Sequence, residues 1–195
     1  MISQVLKSSY KELQQSMHIR KIPQLFDLIP FHTFFTKRFG YDNGERIHFG
    51  STTIMTGNNE DPIRDHTASY LELAEFIQIN GAMACENLEQ LWRRIVFNIS
   101  ILNTDDHLRN HGFILTSQTW ILSPAYDVNP SLDEDDLALN IDMDNNALDY
   151  DLVLSVGDYF RLTDEQMNDI VHDVKAAIVD WEELSDEIVI SKYEL

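Results

Sequence analysis

The sequence predicts an α+β fold, mainly helical, with a short N-terminal β segment and a central β-hairpin. Three observations predict it. Early in the chain, aromatic and β-branched runs are broken by Pro23, Pro30 and Asn43-Gly44, the pattern of strands joined by turns. From Thr67 the apolar spacing changes to the three-and-four rhythm of amphipathic helices. Between two such stretches, "GFILTSQTWIL" carries two short β-rich runs around Ser117-Gln118.

Taken in order, residues 2 to 17 suit a short helix whose less polar side is Val5, Leu6, Leu13 and Met17. "IRKIPQLFDL" and "FHTFFTKRF" read as strands, as does "RIHFGSTTI" after the "YDNG" turn. Tyr70, Leu73, Ala74 and Ile77 share one helical face. Leu88, Leu91, Trp92, Ile95, Val96 and Ile99 form the clearest amphipathic helix, which ends near Ile101. After the hairpin, Leu152, Val153, Val156 and Phe160 suit another helix. A T-x-x-Q capping box, Thr163 with Gln166, opens the last one through Met167, Ile170, Val171, Val174, Ile178 and Trp181.

Composition narrows the function. A chain of 195 residues with 44% apolar and 24% charged residues fits one globular domain with a real core. Its formal net charge of −19 repels phosphate backbones, which argues against direct nucleic-acid binding and for a basic partner or a metal ion. Cys85 is the single cysteine, read as a small apolar core residue in a reducing compartment. No apolar run approaches the roughly 18 residues of a membrane span, and no signal peptide opens the sequence. The expected location is cytoplasmic.

The chemistry concentrates in "NTDDHLRNHGFIL", residues 103 to 115, where a helix gives way to a strand. Asp105 and Asn110 fall in one loop, the hairpin follows, and "SPAYDVNP" then presents Asp127. An acid and an amide in a loop, with a second acid beyond a hairpin, can converge at the hairpin's mouth. That set suits phosphoryl transfer: one carboxylate orients the attacking hydroxyl, while the other acid and the amide oxygen hold Mg²⁺ against the phosphates. Protein kinases carry the same order of Asp, four residues, Asn, hairpin and metal-binding Asp. The plainer alternative for each residue is a turn or cap, since Asp and Asn favour loops for their local hydrogen bonds. Other signals are weaker. "DMDNNALDYD" fails as a calcium loop, because Ala147 and Val153 stand where Gly and Glu are needed, and it reads as an acidic loop. His107 and His111 are four apart but lack the Glu of a zinc-protease helix.

"NTDDHLRNHGFIL…WILSPAYDVNPS" closely resembles the C-terminal part of HipA-type serine/threonine kinases, the toxins of bacterial toxin–antitoxin modules. "TKRFGYDNGERIHFGS", "SYLELAEFI" and "LEQLWRRIVFNI" support the resemblance in the family's order, from about Phe34 onward. It implies a protein-kinase-like C-lobe at residues 67–195, with 1–66 as a partial N-lobe and hinge stub carrying strands. It implies ATP and Mg²⁺ as cofactors, Asp105 as catalytic base, and Asn110 and Asp127 as metal ligands. His107 braces the loop. Arg109 takes the family's basic loop position, to contact phosphate or to offset neighbouring acids. Phe39 stands where the hinge approaches adenine, with core packing as the alternative.

The sequence also departs from that pattern. Arg38-Phe39-Gly40-Tyr41 replaces the family's Arg-Phe-Asp-Arg near the hinge. The phosphate-covering loop, nucleotide-contacting lysine and regulatory serine of a full-length N-lobe cannot be placed here. Lys7, Lys11, Lys21 and Lys37 read as surface charges. The implied partners are a protein substrate and an antitoxin or N-lobe-like protein. Phe31, Phe34, Phe35 and Phe39 would face such a partner or fill this chain's own core. The competing readings are a binding module without catalysis and a small-molecule phosphotransferase, which shares the Asp-x-x-x-x-Asn logic but not "SPAYDVNP".

Overall fold

The computed structural model describes residues 24–28, 31–35, 38–42, 44–57, 68–130 and 135–179, the first two segments by their backbone. The helix expected over 2–17, the four lysines and Trp181 lie outside them. Strands β1 (Gln24–Leu28) and β2 (Phe31–Phe35) pair antiparallel on either side of Pro30, as the proline-broken pattern predicts. The strands β3 (Tyr41–Asp42) and β4 (Glu45–Arg46) form a minimal hairpin closed at Gly44, whose φ of +87° suits a residue without a side chain.

β5 (Phe49–Ser51) leads straight into a short helix, α1 (Thr52–Thr56). This corrects the reading of "STTI" as strand. Thr52 is fully buried, and its N–H donates to the His111 carbonyl at 3.1 Å, which ends the sheet ladder there. The Thr56 hydroxyl then caps the Thr52 carbonyl at 2.9 Å. Tertiary anchoring outweighs the weak β-preference of threonine and isoleucine.

Helix α2 (Tyr70–Asn80) begins with a capping box. Ser69 Oγ accepts from Leu71 N–H, and Glu72 returns to the Ser69 N–H at 3.3 Å. It buries Tyr70, Leu73, Ala74 and Ile77 against the central helix α3 (Ala84–Ile101), which buries its whole apolar stripe from Leu88 to Ile99. Cys85 is exposed, contrary to the core reading. It shares that stripe but lies in the first turn, before the helix enters the core.

Beyond α3, β6 (Gly112–Leu115) and β7 (Trp120–Leu122) form the expected hairpin, and β5 adds to its free side in the order β5-β6-β7. A Cβ on Gly112 would lie 2.9 Å from the Gly50 carbonyl and 2.3 Å from the Phe49 ring, so only glycine lets β5 approach there. The single helix expected over 152–160 divides into α4 (Tyr150–Ser155) and a 3₁₀ turn (Gly157–Phe160). At the division the chain packs closely: Met167 of α5 (Asp164–Ile178) sits where a side chain on Gly157 would go. α5 opens with the capping box of Thr163 and Gln166. Its Met167, Ile170 and Val174 close the core over α3.

Candidate functional site

α3 ends in a way that throws the chain sharply into the polar loop. Leu102 adopts the left-handed conformation, φ +57°, and its N–H reaches back to Asn98 and Ile99 carbonyls. Asn103 repeats the tie, donating from its backbone to the Asn98 carbonyl at 2.9 Å and from its side chain to Asn98 Oδ1 at 3.0 Å. On the far side, Ala138 N–H donates to the Thr104 carbonyl at 2.9 Å. A loop held from both flanks can present side chains in fixed directions.

Asp105 points outward, its side chain 80% exposed, with His107 Nε2 4.0 Å from its Oδ1. His107 is mostly buried and precedes a 3₁₀ turn (Leu108–Asn110), which fits a bracing role. Asn110 is buried. Its carboxamide nitrogen donates to the Asp105 carbonyl at 3.1 Å. That bond joins two of the sequence's candidate residues and engages the nitrogen end of the amide.

Asp127 lies beyond the hairpin, exposed, with the positive φ of +54° that aspartate tolerates better than most residues. Its Oδ1 accepts from Asn129 at 3.2 Å. The neighbouring Tyr126 hydroxyl donates to the Arg109 carbonyl at 2.7 Å, which ties the Asp127 segment to the residue before Asn110. Tyr126, Asn110, Arg94 and Asp106 line one small pocket. Burial raises the Tyr126 phenol; Arg94 opposes this, and the carboxylates of Asp106 and Asp127 add to it. The Arg109 side chain is exposed. Phe39 packs against Phe49 and Tyr126, ring centroids 5.7 and 5.6 Å away, so it borders the segment carrying Asp127.

Sequence reasoning missed what lies directly beneath. Asp106, the next residue after the expected base, is buried and accepts hydrogen bonds on one oxygen from Tyr70 (2.5 Å), Asn98 (2.6 Å) and His111 (2.8 Å). Burial alone would raise its carboxyl, but His111, the Tyr70 hydroxyl and Arg94 together hold it below the ordinary range. The same burial, with the Asp106 charge, pushes the Tyr70 phenol well up. Arg94 is brought down to about 10 by burial, against the pull of Asp106. Its guanidinium donates to the Ser123 carbonyl, while Nε and Nη1 have no hydrogen-bond partner. One signal was legible: Arg94 and Asn98 are polar residues on the helix that carries the clearest apolar stripe.

Among the described residues, no three His, Cys, Asp or Glu side chains gather closely enough to hold a metal ion. The candidate set differs in kind, being two acids and an amide. In the 142–151 loop, Asp142 Oδ1 accepts from the Asp144 and Asn145 N–H groups, a turn-capping use of the carboxylate.

Comparison with known proteins agrees with this architecture. HipA of Shewanella oneidensis MR-1, solved in complex with HipB and its operator DNA, is similar in fold, with a TM-score of 0.69 at 16% identity. That match takes in 97% of this chain and 51% of the HipA chain, so the sequence spans about half the length of that relative. No curated protein matches significantly. The model of the HipA-like C-terminal domain matches residues 13–181, a stretch that takes in every element from β1 to α5; the chain therefore belongs to the HipA-like C-terminal domain family.

Proposed function

We propose that the chain is the catalytic C-terminal part of a HipA-like serine/threonine kinase of the toxin–antitoxin type, transferring a phosphoryl group from Mg²⁺-ATP to a protein hydroxyl. The observation that carries this reading is the bond from the Asn110 carboxamide to the Asp105 carbonyl, which ties the amide to the backbone of the residue whose carboxylate is exposed. Asp105 is the base that orients and deprotonates the attacking hydroxyl, and its exposure leaves room for a protein substrate. Asn110 and Asp127 offer hard oxygen atoms of the type magnesium selects. When bound, the ion supplies positive charge against the phosphates. Phe39, with Phe49 and Tyr126, gives the adenine an apolar wall. Arg109 stands on the same 3₁₀ turn as Asn110, where its charge meets a phosphate.

The HipA chain it resembles is twice as long, and it was solved with a protein partner. In this reading a further lobe covers the phosphates, because transition-state charge needs donors on both sides, and an antitoxin protein engages the kinase. Isothermal titration of Mg²⁺-ATP into the wild type and Asp127→Ala tests the site. Heat in the wild type that disappears in Asp127→Ala is expected. Negligible heat in both proteins would overturn nucleotide binding by this chain, and equal, sizeable heats would remove Asp127 from the site.

A further inference from the structure

We propose that Asp106 is a positioning residue: a buried anchor that turns Asp105 outward and holds Asn110 beside it. The inference rests on the kinase reading for its consequence but on geometry for its substance. Three elements send a donor to one Asp106 oxygen: Tyr70 from the first turn of α2, Asn98 from the last turns of α3, and His111 from the entrance to β6. All four side chains are buried. A carboxylate with three such donors cannot rotate outward without abandoning them all, and charge-assisted bonds of this kind are the strong ones.

The spacing gives the anchor its reach. Asp106 and His111 are tied across five residues, and Asp105 and Asn110 are tied across the same five, one step earlier. The two ties form consecutive rungs of one loop, the inner rung between buried side chains and the outer rung joining buried Asn110 to the backbone of Asp105, whose own side chain is exposed. Fixing the inner rung fixes the register of the outer one. Tyr70 extends the hold, since its N–H donates to the Asn140 carbonyl at 3.0 Å and the nearby Ala138 N–H grips Thr104. Asn98 bridges the other way, accepting from Asn103 through its own oxygen.

The test reads the Asn110 side-chain amide by NMR hydrogen exchange in wild type, Asp106→Ala, Asp106→Asn and Trp92→Phe. Asp106→Ala is expected to speed that exchange roughly tenfold or more, the effect of losing a charge-assisted hydrogen bond. Asp106→Asn keeps an acceptor oxygen and should restore much of the protection. Trp92→Phe, a core change that loses the bond to the Val153 carbonyl, should lower the melting temperature and leave Asn110 unmoved. Exchange within about twofold of wild type in Asp106→Ala, or an equal rise in Trp92→Phe, would overturn the proposal. Should Asp106→Ala fail to fold, Tyr70→Phe removes one of the three donors and is read the same way, with unchanged exchange counting against. The Mg²⁺-ATP heats report separately. Faster Asn110 exchange in Asp106→Ala, with no ATP heat in the wild type, would retain the anchor and reject the kinase reading; unchanged exchange with ATP heat would do the opposite.

Discussion

Asp105 and Asp106 share a peptide bond, yet one is 80% exposed and the other is enclosed by three donors. Sequence spacing found the first, with Asn110 and Asp127, because five-residue and hairpin-length intervals are countable in one dimension. The second was invisible that way, since its partners Tyr70, Asn98 and His111 arrive through tertiary packing. The difference has a pH signature. Because Asp106 is held below the ordinary carboxylate range, its contribution to stability is complete above about pH 4 and is lost as pH falls through the lower folded value. Urea denaturation between about pH 6 and pH 3 should therefore show a steeper acid loss for wild type than for Asp106→Asn; parallel curves would contradict it. The roles of the outer acids also separate. Asp105→Asn should keep the Mg²⁺-ATP heat that Asp127→Ala loses, because a base orients the hydroxyl and a ligand holds the ion. Equal loss in both would make Asp105 a ligand instead.

At the scale of elements, the helices were legible where their apolar stripe was long and their caps explicit. α3 and α5 both follow the apolar spacing, and the Thr163–Gln166 box stands where the motif placed it. Short-range propensity misled twice. Thr52-Thr53-Ile54 reads as strand but coils into α1 because Thr52 is tied to His111, and the 152–160 helix breaks where Met167 fills the space beside Gly157. Two substitutions test the terminations. Thr163→Ala should cost about 1 kcal/mol by freeing the Gln166 N–H. Leu102→Gly should gain about 0.5–1 kcal/mol, because a left-handed φ of +57° strains a residue with a Cβ. Denaturant midpoints measure both, and a stabilised Thr163→Ala or a destabilised Leu102→Gly would show that these caps carry no such weight.

At the scale of the molecule, the fold puts a rigid helical body beneath one polar loop and lets β5 of the early segment join the hairpin above it. The family was readable from "NTDDHLRN" with "SPAYD", since together they encode that loop and the segment Tyr126 ties to it. The burial of individual residues was less so: Cys85 follows the apolar spacing but falls in the first turn of α3, outside the core. A net charge of −19 offers divalent cations many weak positions, so selective binding is the informative result. The decisive measurement is Mn²⁺-induced broadening of backbone amide signals at low ion concentration. The amides of 105–111 and 125–128 should broaden first in the wild type and lose that priority in Asp127→Ala. Broadening spread evenly over the acidic surface, or centred on 142–151, would mean that Asn110 and Asp127 do not share an ion.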